Sequence, residues 1–402
     1  MEPISFPPSG KFLESIRTSS RALREVANIS IEEESIKRLL LSPAFTSSFK
    51  RVSAAHGLAM PLNFPSAGAE LNLLSILSLL NFGSGYRAPL HAETGHGAWD
   101  CMRAFVFSLY ITSSADEDDL LSARGIQNLS EAKVAELMRV NVHVEKPHET
   151  LKHVTIGELR GPMYDLVKLV TGVLNETGGI LVNLGYPDLG MFVLEALKDG
   201  RRACSDGNNH ADVELVLERL VRAFPAFQDM AVVEGQSIFC FKKALFLIHA
   251  IFVRFGSSNP PPLPVPSTSH MPVFSDNVLP SLLVHLGVID ISNSPSLSLL
   301  FPQAGSAEQL GALLATAGPG GDAAKILPKD GPSVTASQAY ILRAAAIDAC
   351  ELIIRVARTL EEPEWLRDIE LPALDMWIWA VAKDRADYRQ LARFAAQDTV
   401  FF

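Results

Sequence analysis

The sequence predicts an all-α or predominantly α protein with few short strands. Apolar residues recur at spacings of three and four in several segments, whereas alternating strand patterns are short and rare. Hydrophobic residues make up 48% of the 402 residues, which is enough for a large buried core. We expect one compact helical domain over residues 51–402, preceded by an N-terminal helical extension over residues 1–50.

The clearest helical pattern lies between residues 212 and 222. Its apolar side chains share one face, and they are Val213, Val216, Leu217, Leu220 and Val221. Pro225 follows and marks the end of the helix. Similar stripes predict helices over residues 163–174, 180–197, 244–255, 341–360 and 371–382. Residues 71–82 are apolar on all sides but shorter than the roughly 20 residues of a membrane span, so we expect a buried core helix.

Two segments interrupt the helical pattern. Residues 257–268 are rich in proline and serine, and residues 305–333 are rich in glycine, alanine and proline. We interpret both as surface loops inside one domain, because the helices beside them are apolar enough to need one another as packing partners.

Charge and cysteine content limit the classes of function. The net charge of −10 disfavours binding to long nucleic acids, which relies on clustered lysine and arginine, and favours a small-molecule ligand. Four cysteines lie far apart without a paired motif, so they indicate reduced thiols. No signal peptide is apparent at the N-terminus, and we expect a cytoplasmic location, with the nucleus as an additional site, and no membrane partner.

A cluster of histidines and acids between residues 143 and 153 is the densest set of metal-ligand side chains. Pro147 interrupts any helical face that would aim these side chains at one point. The pattern is therefore more typical of a solvated loop than of a metal centre. We expect neither a metal nor another cofactor.

Three charged side chains lie in unusual apolar surroundings. Asp276 precedes an apolar helix whose first turn contains Pro280, so its carboxylate is either an ordinary N-cap or a reactive group at a helix start. Asp375 lies in a Trp-rich helical stretch and faces either solvent or a ligand, because burying an unpaired carboxylate is costly. Lys242 belongs either to a solvated turn or to a pocket.

At these residues the chain resembles the queuosine salvage protein family, the queuosine 5′-phosphate N-glycosylase/hydrolases. The motifs that carry the resemblance are Leu80-Asn81-Phe82, Gly97-Ala98-Trp99, Leu174-Asn175-Glu176-Thr177-Gly178, Phe224-Pro225, Glu234-Gly235, Phe241-Lys242-Lys243-Ala244, Phe274-Ser275-Asp276, Leu279-Pro280, Leu286-Gly287, Arg343, Glu351-Leu352-Ile353, and Leu374-Asp375 with Trp379. They span most of the chain beyond about residue 50.

The resemblance implies a fold similar to helical DNA glycosylases and a hydrolase that cleaves the N-glycosidic bond of queuosine 5′-monophosphate to release queuine for salvage into tRNA. It assigns catalysis to Asp276. The implied substrate-binding residues are His56, Phe82, Lys242, Phe274, Asp375 and Trp379. Among these, Phe82 and Phe274 are candidate stacking surfaces, and Lys242 is a candidate contact to phosphate or ribose. The implied partner is a small nucleotide.

The chain departs from the family at its C-terminal end. Many members end in a basic and aromatic tail, whereas residues 397–402 here read Gln-Asp-Thr-Val-Phe-Phe. If that tail holds the 5′-phosphate, Arg389 or Arg393 must replace it. The alternatives are therefore a catalytically inactive relative that binds queuine or a protein, and a DNA-acting glycosylase, which the acidic charge disfavours.

Overall fold

The computed structural model describes residues 4–53, 58, 60–113, 119–151, 153–204, 211–316 and 331–402. The fold is 59% helical, and the described residues form 17 α-helices and two small two-stranded sheets. The prediction of a predominantly α fold is confirmed.

The helices follow one another along most of the chain. They are α1 (Phe12–Val26), α2 (Glu33–Leu40), α3 (Pro43–Val52), α4 (Ala67–Leu79), α5 (Arg87–Thr94), α6 (Ala98–Thr112), α7 (Ala123–Gln127), α8 (Glu131–Met138), α9 (Pro162–Leu184), α10 (Leu189–Cys204), α11 (Ala211–Ala223), α12 (Lys242–Phe255), α13 (Val278–His285), α14 (Ala307–Leu314), α15 (Ala336–Thr359), α16 (Leu371–Asp384) and α17 (Ala386–Arg389). The antiparallel hairpins are β1 (His143–Pro147) with β2 (Thr155–Leu159), and β3 (Met230–Val233) with β4 (Gln236–Phe239).

Helix α4 is the buried core helix that the sequence predicts. Every residue from Leu71 to Leu79 is buried, and Ser66 caps the helix by accepting the Ala69 N–H at its side-chain oxygen. Its one buried amide, Asn72, donates to the Leu121 carbonyl and accepts the Gly190 N–H, each at 3.0 Å. A Cβ at Gly190 would lie 2.7 Å from the Asn72 backbone, so glycine allows α10 to approach α4 this closely.

Helix α15 runs through the core and meets both ends of the chain. A capping box between Thr335 and Gln338 begins it, and sixteen of its residues are buried. Helices α13 and α16 pack against α15 and against each other. Because Asp276 lies just before α13 and Asp375 lies on α16, this packing brings the two acids to one region.

The segment predicted as one helix over residues 180–197 is instead the junction of two helices. Gly185 follows α9 with a φ of 80°, a left-handed conformation that glycine adopts without steric cost. Helix α10 then begins, bent by 61° from α9. Among the described residues, no single helix combines the length and apolar composition of a membrane span, although this bent pair together meets that test.

Two predicted loops differ from the structure. The segment 305–333 contains helix α14, because Ser306 accepts the Gln309 N–H as an N-cap and Leu313 and Leu314 bury one face. The glycine and alanine content concealed this short helix. The cluster between residues 143 and 153 includes the exposed strand β1, not only a loop. Residues 257–268 contain no helix or strand, as predicted.

The N-terminal helices pack on the rest of the chain. Helix α1 lies on α15, where the Arg24 guanidinium contacts the Asp348 carboxylate at 2.7 Å. Helix α3 lies on α16, where the fully buried Trp377 donates its indole N–H to Ser48 Oγ at 2.8 Å. The division into an extension at 1–50 and a domain at 51–402 remains a prediction.

The Ser48–Trp377 hydrogen bond predicts that alanine substitutions at two adjacent serines differ in their effect on the free energy of unfolding. Ser48→Ala leaves a buried indole N–H without its acceptor, which destabilises the fold by about 1–3 kcal/mol. Ser47 is exposed, and its Oγ donates to the backbone carbonyl of Pro43 in its own helix at 2.6 Å, so Ser47→Ala changes stability by less than about 0.5 kcal/mol. Urea unfolding measures both. Equal losses for the two variants would contradict this docking of α3.

Candidate functional site

A cleft with two joined lobes lies where helices α12, α13 and α16 meet. Including the space open to solvent, the inner lobe encloses about 470 Å³ and the outer lobe about 830 Å³. The side chains that line both lobes, and so form their junction, are Asn81, Trp99, Lys242, Asp276 and Trp379.

Apart from the junction residues, the inner lobe is aromatic and apolar except for one carboxyl group. Its remaining lining residues are Leu58, Phe246, Phe274, Leu279, Asp375 and Met376. Asp375 Oδ2 accepts the backbone N–H of Phe274 at 2.9 Å, which ties α16 to the segment leading into α13. Burial raises the pKa of Asp375 well above its usual range, and the nearby Asp276 carboxylate raises it further. A cationic or N–H-donating ligand would therefore be favoured beside Asp375.

Asp276 combines a backbone role with a position in the cleft. Its Oδ1 accepts the Val278 N–H at 2.7 Å, two residues along the chain, while Asn277 occupies the N-cap position of α13. The side chain is half-buried and lines both lobes. Asn277 thus takes the N-cap position that the sequence offered to Asp276, while Asp276 accepts a backbone N–H of the first helical turn and lines the cleft.

Lys242 places an ammonium group opposite these acids. It is the first residue of α12 and is 4% exposed, and its Nζ donates to the backbone carbonyl of Asn81 at 2.5 Å and to Asn81 Oδ1 at 3.0 Å. Burial lowers the pKa of Lys242 to about 8, although the attraction of Asp276 opposes this shift. Lys242 is thus a pocket lysine that still carries its proton at neutral pH.

The outer lobe is rich in positive charge. Five lysine and arginine side chains line it against two carboxylates, and the cations are Arg87, Lys242, Lys383, Arg389 and Arg393. Burial lowers the pKa of Lys383 to about 8 and that of Arg393 to about 9. The Lys383 ammonium lies 3.5 Å from the centre of the Trp379 ring, and Arg393 donates to the Ala382 carbonyl at 2.7 Å. This lobe favours an anion.

The structure brings most of the predicted site residues to this cleft. Asp276, Lys242 and Trp379 line the junction, while Phe274 and Asp375 line the inner lobe. Phe82 instead lines the outer lobe, so the two phenylalanines do not share one stacking surface. His56 lies outside the described residues.

Sequence reasoning missed three lining residues, two of which helical spacing could have identified. Phe246 follows Lys242 by four residues, and Lys383 follows Trp379 by four, so each pair lies on one helix face. Trp99 follows Gly97 and Ala98 in a motif of the family resemblance, and its ring packs edge-to-face against Phe246 and Trp379. Its aromatic contacts make it a wall between the lobes.

The described residues contain no group of three or more histidine, cysteine, aspartate or glutamate side chains arranged to hold a metal ion. The cluster that begins at His143 lies on an exposed hairpin, where Lys146 pairs with Glu158 across the two strands. The titratable side chains that line the cleft are carboxylates, amines, guanidinium groups and the imidazole of His91.

Comparison with known proteins agrees with the motifs in the cleft. A family model described as queuosine salvage protein matches residues 115–299, a range that includes Lys242, Phe274 and Asp276. No curated protein matches the chain. The match supports the family that the sequence resembles and a role in queuosine salvage. Residues 115–299, a little under half of the 402 residues, are by this match similar to the queuosine salvage protein family.

Proposed function

We propose that the protein is an N-glycosidase that hydrolyses queuosine 5′-monophosphate to queuine and ribose 5-phosphate. The observation that carries the proposal is the order of groups along one cleft: an aromatic lobe with Asp375, then Asp276 and Lys242, then a cationic lobe. A nucleotide has the same order of base, glycosidic bond and phosphate. The family match adds independent support for a queuosine compound.

In this proposal the inner lobe takes the base. Queuine carries a guanine-like edge with N–H donors and a secondary amine that is cationic near neutral pH. The Asp375 carboxylate suits either group as an acceptor, and a cation would offset the burial and the Asp276 repulsion that raise its pKa. Trp379 and Phe274 supply flat apolar surfaces for the ring system.

Asp276 then acts on the glycosidic bond. Queuine is a 7-deazaguanine, so the enzyme cannot activate the leaving base by protonating N7, and it must stabilise the positive charge that develops on the sugar. A carboxylate at the junction of the lobes supplies that stabilisation, and it also suits a general base for water or a nucleophile. Lys242 offsets the repulsion between Asp276 and Asp375 because its ammonium attracts both.

The outer lobe takes the 5′-phosphate in this proposal. Arg389 and Arg393, the arginines that the altered C-terminal tail pointed to, line this lobe together with Lys383. A phosphate monoester gains charge-assisted hydrogen bonds from such groups. The tail itself contributes the ring of Phe402 to the lobe and no cation.

The first test is direct assay of base release. The purified protein is incubated separately with queuosine 5′-monophosphate, queuosine and guanosine monophosphate, and the products are separated by chromatography. We expect queuine from the monophosphate. Calorimetric binding of queuine without any base release would instead identify a binding protein, and no release from either queuosine compound would reject the enzyme.

Asp276→Asn should lower kcat for queuosine 5′-monophosphate by about 10²–10⁴-fold, because the amide keeps an oxygen for the Val278 N–H but loses the negative charge. Asp290→Asn is the matched control. Asp290 is exposed and makes the same backbone contact two residues along the chain, to the Ser292 N–H at 2.9 Å. Steady-state kinetics compares the two. A fully active Asp276→Asn variant would reduce Asp276 to a structural cap.

Arg393→Gln should selectively weaken the binding of the monophosphate substrate. Loss of one phosphate contact raises KM for queuosine 5′-monophosphate by about 10–100-fold, which corresponds to a charge-assisted bond of roughly 1.5–3 kcal/mol. The nucleoside queuosine has no phosphate and serves as the internal control substrate, for which KM stays within about twofold. An equal rise for both substrates would place the effect of Arg393 outside phosphate binding.

The dependence on pH should differ between the same two substrates. The pKa of Lys383 is about 8, so this group is cationic below pH 8 and neutral above it, whereas a phosphate monoester is dianionic above about pH 6. We expect kcat/KM for the monophosphate to fall above pH 8 more steeply than for queuosine. The Lys383→Met variant should lose the fall near pH 8 and keep only the later fall that Arg393, with a pKa of about 9, produces. Parallel profiles in the wild-type protein would contradict the role of Lys383.

A further inference from the structure

We propose that the buried ion pair of Arg343 and Asp229 positions the two reactive groups of the cleft, Asp276 and Lys242. This inference rests on the proposed function and extends it to two residues that do not line either lobe. Arg343 and Asp229 are therefore positioning residues and not catalytic ones.

The pair is sealed from solvent. Arg343 is 0% exposed and Asp229 is 1% exposed. Arg343 Nη1 donates to Asp229 Oδ1 at 2.9 Å, and Nη2 donates to Oδ2. The guanidinium lies between the rings of Tyr340 and Phe402, at 5.4 and 4.5 Å from their centres. Removing two such charges from water is costly, and well-packed apolar residues often replace a buried ion pair without loss of stability. A contribution to stability therefore does not by itself explain why this ion pair is present.

The remaining hydrogen bonds of the pair reach the segments that carry the reactive groups. Arg343 Nε donates to the carbonyl of Ser275, the residue immediately before Asp276, at 2.9 Å. Asp229 Oδ2 accepts the backbone N–H of Lys242 at 3.1 Å. One ion pair thus connects the chain on the N-terminal side of Asp276 with the first residue of α12.

The connection to α12 also holds an unfavourable backbone conformation. Phe241 has a φ of 47°, a left-handed value that is sterically unfavourable for a non-glycine residue. The Asp229 carbonyl accepts the N–H groups of Cys240 and Phe241, at 2.9 and 3.3 Å, so Asp229 binds three successive backbone N–H groups including that of Lys242. This left-handed turn sets the direction in which Lys242 leaves the backbone.

The distance between Asp276 and Lys242 therefore depends on Arg343 and Asp229. The two groups interact electrostatically across the junction, and Asp276 also acts on Asp375. A displacement of about 1 Å in such a constellation can lower a rate about 10²-fold without affecting the binding of distant parts of the substrate. A positioning role thus predicts a loss in kcat with little change in KM.

The test replaces the ion pair by apolar residues in the double variant Asp229→Leu/Arg343→Met. Its matched control is Arg24→Met/Asp348→Leu, which removes another ion pair of α15 whose residues do not line the cleft. We expect the first variant to unfold cooperatively, with kcat for queuosine 5′-monophosphate lowered about 10²-fold and KM within about threefold. The control keeps kcat within about threefold.

Arg343→Lys supplies a second measurement, which decides the matter if the double variant does not fold. It keeps both charges but loses the planar fork that reaches Asp229 and the Ser275 carbonyl together, so kcat falls by about tenfold with KM unchanged. Full kcat in a folded Arg343→Lys or double variant would overturn the positioning role, as would equal losses in the control. An inactive wild-type protein would instead reject the proposed function and the positioning role together.

Discussion

Desolvation of charge is the constraint on which the structure around the cleft depends. Arg343, Asp229, Lys242 and Asp375 are each at most 4% exposed, and each loses hydration that the protein must replace. Arg343 donates hydrogen bonds to the Asp229 carboxylate, while Lys242 Nζ donates to the backbone carbonyl and the side-chain amide oxygen of Asn81. These bonds connect segments that are distant in sequence, so the helices around the cleft are held in one arrangement by polar contacts as well as by apolar packing.

The sequence predicts the helical class and several individual elements well. The five apolar residues assigned to one face of α11 are the five that the structure buries. Helical periodicity is reliable there because one face meets solvent and the other meets the core. It fails where composition is uniform: the predicted helix over residues 180–197 runs across Gly185 from the end of α9 into α10, and the small residues around α14 concealed an N-cap at Ser306.

The site is predictable only in part, for physical reasons. Asp276 and Asp375 were identifiable because a carboxylate in apolar surroundings is unusual. Lys383 follows Trp379 by four residues, but it was not singled out because it belongs to a charged run, Lys383-Asp384-Arg385, which is typical of a solvated surface. Its half-buried position in the cleft follows from tertiary packing of α16 against neighbours that are remote in sequence. The position of Phe82 in the outer lobe likewise depends on how the segment after α4 crosses the cleft.

Net charge is a poor guide to the local field in this protein. The chain carries a charge of −10, yet cations outnumber carboxylates by five to two around the outer lobe. Acidic side chains elsewhere keep the overall balance negative, while the cations around the outer lobe lie in a concave region where low-dielectric walls strengthen their field.

Trp379 belongs to both lobes, and this has a thermodynamic consequence. The Lys383 ammonium lies over its ring, while the same residue lines the aromatic lobe. A ligand that stacks in the inner lobe therefore contacts an indole ring that the Lys383 ammonium already polarises. An anion in the outer lobe that attracts this ammonium away from the ring changes the surface on which that ligand stacks. Ligands of the two lobes are thus energetically linked through a single indole, and by reciprocity each changes the affinity for the other by the same factor.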